Sequence, residues 1–268
     1  MKKLLALFIL LAFMAAPAGA QDSTATDSSP KLINDYSMIG VNYGVTFSNM
    51  YFSPTKHRRQ YVFAPNYVSI MFTKHCKMFD TMPLFAIVGG VAMGNEGFAF
   101  EPDKETGETT AIDGATWCSM KVFEVPVMAQ LHIDSDPFKI MADAGIYGGW
   151  RQSILRKGPG LDPQWSNAFR PYENRIDYGF LGGIGFGLMF DPVEIHFNCL
   201  IRWSWSSLYQ PDYASRYFYE YAYPLDIIAS VGLHFQLTKR NGKTRRAIRQ
   251  EAYNTVYGTT QDNSGKNR

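Results

Sequence analysis

The side chains of this sequence that can do chemistry are spaced by even numbers within short stretches. Glu194, His196 and Arg202 form one such set, and Lys139, Asp143 and Arg151 another. Glu124 with His132, and Asp226 with His234, repeat the spacing, while Asp177 stands in a glycine-rich stretch. Even spacing puts all members of a set on one face of an extended strand. Three chemistries fit carboxylates, imidazoles and cations gathered in this way. They can neutralise one another as an ion-pair network, relay ions or protons, or activate water or a hydroxyl for hydrolysis. Both signs of charge are represented, and unpaired charge on an enclosed face is costly, so a structural network is the expected arrangement.

Hydrolysis needs a nucleophile with a base in hydrogen-bond reach. The chain has no GxSxG, and His57, in Lys56-His57-Arg58-Arg59, is the one histidine expected in an outer loop. A loop histidine flanked by cations is ordinarily solvated, so no catalytic residue is assigned. The three cysteines, Cys76, Cys118 and Cys199, show no CxxC or Cys/His spacing, so no metal, cofactor or structural disulfide is expected. Glu96, Glu101, Asp103, Glu105, Glu108 and Asp113 are concentrated in one stretch but lack the regular ligand spacing of a dedicated calcium site.

The elements that must position the charged faces are strands. Residues alternate with period two, most clearly from Val193 to Ser206, where Val193, Ile195, Phe197, Cys199, Ile201, Trp203 and Trp205 oppose Glu194, His196, Asn198, Leu200, Arg202, Ser204 and Ser206. Eight such segments are expected: Tyr36–Ser48, Tyr67–His75, Leu84–Met93, Cys118–His132, Phe138–Arg151, Arg175–Phe190, Val193–Ser206 and Leu225–Leu237. One face of each is continuously apolar and the other polar or ionic, which suits an all-β, eight-stranded antiparallel transmembrane barrel, an up-and-down meander with lipid outside and charge inside. An even number of strands lets the first pair with the last, leaving no free edge in lipid.

The connections alternate as such a barrel requires. Cys76–Pro83, Asp134–Pro137 and Asp191–Pro192 are short; Asn49–Asn66, Gly94–Trp117, Gln152–Asn174 and Leu208–Pro224 are long and are expected outside. That orientation brings Trp117, Trp150, Trp203, Trp205 and Tyr178 to one interface and Phe138, Phe190 and Phe235 to the other. Gly179, Gly183, Gly185 and Gly187 point inward, leaving either room for bulky neighbours or a narrow gap for a ligand. Pro126 removes a ladder hydrogen bond, and a bulge next to Glu124 is expected to absorb it.

Residues 1–20 have the layout of a secretory signal peptide, Met1-Lys2-Lys3, an apolar run from Leu4 to Phe13 and Ala16-Pro17-Ala18-Gly19-Ala20, with cleavage expected after Ala20. A periplasmic linker over 21–35, the barrel over 36–237 and a basic periplasmic tail over 238–268 complete the expected organisation. Cleavage removes two lysines and no acids, so the formal charge falls from +2 to zero, which does not suggest a nucleic-acid partner. The 31 residues after Leu237 hold eight Lys/Arg and two Asp/Glu, so they carry +6 and the rest of the processed chain −6.

Phe123-Glu124-Val125-Pro126-Val127, then Asp143-Ala144-Gly145-Ile146-Tyr147-Gly148-Gly149, then Asp177-Tyr178-Gly179-Phe180 with Gly182-Gly183-Ile184-Gly185 resemble the PorT-type outer-membrane β-barrel family. The resemblance spans about Asp35 to Leu237 in order and spacing. It implies a small outer-membrane barrel and, by analogy with PorT itself, a link to protein secretion that no residue here carries on its own.

Eight strands leave an interior that side chains just fill. The expected lumen network comprises Glu124, Lys139, Asp143, Arg151, Asp177, Glu194, His196, Arg202 and Asp226, with His132 and His234 beside it. The expected function is a non-enzymatic outer-membrane barrel with a structural or protein-interaction role. An accessory component of protein secretion and a narrow channel are the alternatives. Outer-membrane lipid and lipopolysaccharide are the expected partners, with Lys56, Arg58 and Arg59, and in the third loop Arg156, Lys157 and Arg170, as phosphate contacts. A periplasmic or secretion-system protein on the basic tail is the other partner considered.

Overall fold

A computed structural model describes residues 36–54, 59–78, 82–105, 107–135, 137–210, 221–238 and 252–254. The main strands are β1 (Ser37–Ser53), β3 (Val62–Met78), β4 (Met82–Phe100), β5 (Trp117–Ser135), β6 (Phe138–Lys157), β7 (Ile176–Phe190), β8 (Val193–Ser204) and β9 (Tyr221–Gln236); the two-residue β2 (Arg59–Gln60) prolongs β3 beyond Tyr61. Each main strand pairs antiparallel with its neighbour, β4 with β5 included, and β9 closes onto β1. The result is a closed eight-stranded antiparallel barrel.

Its stagger follows from the ladder. Stepping across hydrogen-bonded partners from Ile39 leads through Phe72, Gly89, Val127, Ile146, Phe180, Trp203 and Leu225 to Asn49. The circuit therefore returns to β1 ten residues higher (49 − 39). Ten residues of stagger over eight strands incline the strands by roughly 40° to the barrel axis. Phe138 and Trp150, twelve residues apart on the outer face of β6, are then separated by about 30 Å along that axis.

The alternation holds along the strands between the girdles. On β1, Ile39, Val41, Tyr43 and Phe47 face out while Gly40, Asn42, Gly44, Thr46 and Ser48 are buried. Trp150, Tyr178, Trp203 and Trp205 form one exposed aromatic girdle, and Phe138, Phe190 and Phe235 the other. Between the girdles the described outward positions carry no Asp, Glu, Lys, Arg or His; exposed Lys74 and Lys121 lie at the two margins.

The strands run further toward the long-loop end than period two suggests. β1 continues to Ser53, β3 begins at Val62 and β4 reaches Phe100. This extension is aromatic on both faces, with Tyr51 and Phe63 exposed and Phe52, Phe98 and Phe100 buried, so unlike faces do not mark it. Its interior is an apolar cluster that includes Met50, Phe52, Phe98, Phe100, Met120, Ile154 and Leu208, roofed by Phe169 and Tyr172. Three irregularities adjust the sheet; one, at the base, shifts the β3–β4 register between Cys76 and Met78. Asn66, with a φ of 147°, is the extra residue of β3 between the Gly44 and Val45 pairings, and Gln152 is the extra residue of β6 between the pairings of Lys121 and Val122. The bulge expected beside Glu124 is not there. The β4–β5 ladder lapses at Val125 and Pro126, with two residues skipped on each strand, so the proline costs hydrogen bonds without shifting register.

Candidate functional site

The inward face gathers ionisable side chains into two groups at the levels of the two girdles. The upper group is built on two arginines. Arg202, 1 % exposed, meets Glu124 and Asp226 and lies 3.7 Å from Glu96. Arg151, also buried, is paired with Glu96 and donates from Nη2 to Asp177 at 3.1 Å. Its Nη1 donates to the carbonyls of Asn174 and Ile176, at 3.1 and 3.2 Å. The Ser204 hydroxyl donates to Asp177. Glu96 thus links the two arginines, and six charged residues from β4, β5, β6, β7, β8 and β9 form one continuous network.

The lower group surrounds Lys139. Its ammonium donates to Glu194 at 2.7 Å and to the Tyr36 hydroxyl, which itself donates to Glu194 at 3.1 Å. His196 Nε2 is 2.9 Å from the same carboxylate, and His196 stacks on His234 with ring centroids 3.9 Å apart. His75 stacks on Tyr36 at 3.9 Å and meets His132 edge-on at 4.8 Å, while His132 Nδ1 is 3.0 Å from Asp134. Between the two groups lies an apolar belt that includes Met71, Val88, Met128, Leu181 and Leu200. Asp143 sits here, accepting from Gln130 at 2.8 Å, apart from both groups.

A cavity of about 30 Å³ lies beside Asp143, lined by Gln130, Asn198, Ser69, Ser230, His196 and His234 among others. That is room for two or three water molecules. The inward glycines of β7 are closed over by neighbours. A Cβ at Gly183 would strike the backbone of Cys199 and Leu200, and one at Gly187 would lie 3.2 Å from the His196 ring. Side chains and the adjacent strand therefore occupy that strip.

Several residues lie where the sequence reading did not put them. Glu96, expected in an acidic outer loop, is a fully buried member of the upper network, because β4 continues past Met93. Phe98 and Phe100, two and four residues further on and both inward, carry the signal that could have placed it. His75, the last residue of the expected segment Tyr67–His75, is buried at the barrel base, and β3 continues past it to Met78. Arg156, expected as an exposed phosphate contact, is 4 % exposed; it pairs with Glu173 and donates to the carbonyls of Trp165 and Ala168 at 2.7 and 2.8 Å. The Gln152 bulge reverses parity along β6 and turns Arg156 inward.

Above the strands, Arg170 and Tyr172 both bind the Asp113 carboxylate, tying two long connections together. Burial, with a lesser contribution from Asp113, pushes the Tyr172 hydroxyl up to about 12. Lys157 lies over the Trp117 ring, 5.0 Å from its centroid. Arg59 donates to the Met50 carbonyl at 2.9 Å and lies over the Tyr51 ring at 5.2 Å. Lys56, His57 and Arg58 lie outside the described residues, as do residues 1–35 and most of the 238–268 tail.

No family model matches the chain, and no curated protein does. Among solved structures, Neisserial surface protein A is similar at 8 % identity with a TM-score of 0.40, over 74 % of this chain and 96 % of that one. Outer membrane protein AlkL is similar at 9 % identity and 0.35, over 79 % and 94 %. The outer membrane protease OmpT from Escherichia coli is similar at 12 % identity and 0.32, over 78 % and 98 %.

Proposed function

We propose that the chain is a non-enzymatic barrel of a bacterial outer membrane with a structural or protein-interaction role, its lumen filled by side chains. The observation that carries this reading is the uncharged outward belt between two aromatic girdles, wrapped around an inward face rich in paired ions. A bilayer-spanning barrel has this pattern, with an apolar band of about 25 Å between its girdles. The girdles here, about 30 Å apart, flank such a band. Signal-peptide cleavage after Ala20, periplasmic termini and outward long loops complete the proposal. Outer-membrane lipid and lipopolysaccharide are its surroundings, and the tail over 238–268 offers a basic site to a periplasmic protein.

Cys199 provides the test. It is exposed on the outer face of β8, between the girdles. In native membranes a charged maleimide is expected to leave Cys199 unmodified until the barrel is unfolded, and extraction is expected to require detergent. A processed chain recovered in the aqueous periplasmic fraction, with Cys199 freely labelled, would overturn the proposal.

The resemblance to PorT-type barrels supports a second reading, an accessory component of protein secretion. Its most specific segment, Phe123–Val127, places Glu124 against Arg202 in the upper network. Affinity purification from native membranes separates the two readings: secretion proteins retained by the full chain and lost on removing residues 238–268 favour the second. Discrete conductance steps in planar bilayers would instead favour a narrow channel over a filled lumen.

A further inference from the structure

The outward surface is not the same all the way round above the upper girdle. On β9, β1 and the start of β3 it is a ridge of aromatic rings, whereas β5 and β6 present Ser119, Lys121, Gln152 and Ser153, with Leu155 and the half-buried Trp117 further out. Tyr51 lies opposite Tyr223 across the closing seam, and Tyr221 stacks parallel to Tyr223 with centroids 6.0 Å apart. Tyr51, Tyr61 and Phe63 are each at least half exposed. The ladder from Trp203 through Leu225 to Asn49 sets the height. Each step to the next strand climbs a little more than one residue, so Phe47 is level with Trp203 and Tyr51 stands about 10 Å above the girdle. The ridge therefore begins at the apolar boundary and rises through the headgroup zone.

We propose that this ridge is a docking surface for the phosphorylated sugar headgroup of lipopolysaccharide. The inference rests on the outer-membrane reading above. Aromatic rings ten ångströms beyond the girdle have no acyl chains to meet, and a zwitterionic glycerophospholipid offers them little apolar surface. The C–H faces of a saccharide do, and tyrosine hydroxyls at the ring edges can exchange hydrogen bonds with its hydroxyl groups. Arg59 adds the charge. One Nη1 bond to the Met50 carbonyl holds it over Tyr51, and a guanidinium has five N–H groups, enough to serve a phosphate as well. Rings and a cation side by side match a ligand with sugars and phosphates side by side. Another protein would find a convex ridge with its cation at one margin.

The full chain, extracted from native membranes in mild detergent, tests this by mass spectrometry of retained lipid A. Wild type is expected to retain lipopolysaccharide. Tyr51→Ser/Tyr61→Ser/Phe63→Ser is expected to lose at least nine-tenths of it, and Arg59→Gln at least half. Gln152→Ala/Ser153→Ala on the opposite side is expected to keep it. Heat-modifiable migration on gels checks that each variant is folded. Equal retention by the folded ridge variant and wild type overturns the proposal, as does a ridge that cross-links to a second copy of the chain or to a protein while lipid A is absent. Failure of the outer-membrane reading looks different, since the wild-type chain would then leave the envelope without detergent.

Discussion

Arg202→Met removes the cation at the centre of the upper network. In the structure that guanidinium is buried against Glu124 and Asp226, with Glu96 3.7 Å away. Glu96 keeps Arg151 as a partner, but Glu124 and Asp226 are left without a cation, and Asp226 is itself fully buried. Breaking one buried pair costs roughly 3–5 kcal/mol, because the stranded charge has lost water and gained nothing. Stranding two carboxylates puts this variant at about 5 kcal/mol, the upper end of that range. Arg202→Met/Glu124→Met/Asp226→Leu removes the charges together, and an apolar replacement of a buried ion group is close to neutral or stabilising. The triple variant is therefore expected within about 2 kcal/mol of wild type. Reversible urea unfolding of the barrel in detergent micelles, followed by tryptophan fluorescence, measures both. If the single variant loses less than about 1 kcal/mol, or the triple variant is as unstable as the single, buried-charge pairing is not what organises this end of the lumen.

Three further outcomes follow from the geometry. Ile184, 69 % exposed and about midway between the girdles, faces the most apolar part of the surroundings, so Ile184→Lys is expected to cost about 2–4 kcal/mol in lipid vesicles; an effect below about 0.5 kcal/mol would place that face in water. Gly183→Val drives a side chain into the β8 backbone at Cys199 and Leu200 and is expected to cost about 3 kcal/mol, whereas Gly148→Ala, with nothing within 4 Å of the new Cβ, is expected to unfold at the wild-type urea concentration. The Tyr172 hydroxyl is pushed up to about 12, so its neutral form is favoured in the folded loops. The contribution is complete below the ordinary tyrosine value near 10 and is lost as pH rises toward 12. In ultraviolet titration Tyr172→Phe is expected to delete one of the late tyrosinate transitions, and no change on that substitution would refute the Asp113–Tyr172 contact.

Period two made the barrel legible because outward and inward residues differ so sharply on β7, β8 and β9. The same criterion failed where both faces are aromatic. The outer ends of β1, β3 and β4 look like loop sequence until Phe98 and Phe100 are recognised as inward neighbours of Glu96. Parity carried the reading of β6 as far as Arg151, and a single inserted residue, Gln152, then reversed it, which hid the inward turn of Arg156. Inward parity was visible for Glu124, Arg151, Asp177, Arg202 and Asp226, but their partners were not. Pairing depends on the ten-residue stagger, which brings together strands that are distant in the chain, and no local pattern reports it. The standing of Lys139 beside Tyr36 was hidden for the same reason.

The seam between β1 and β9 joins segments made at opposite ends of synthesis. Asn42 and His234 meet at 3.1 Å although 192 residues separate them. Until the final strand arrives, the growing sheet has two raw edges, and its central polar groups still face solvent. Closing so large a loop is entropically costly and returns nothing until the last ladder is zipped, which makes slow, concerted maturation the natural kinetic outcome. A chain that stops before Tyr221 lacks the strand that covers the edges of β1 and β8.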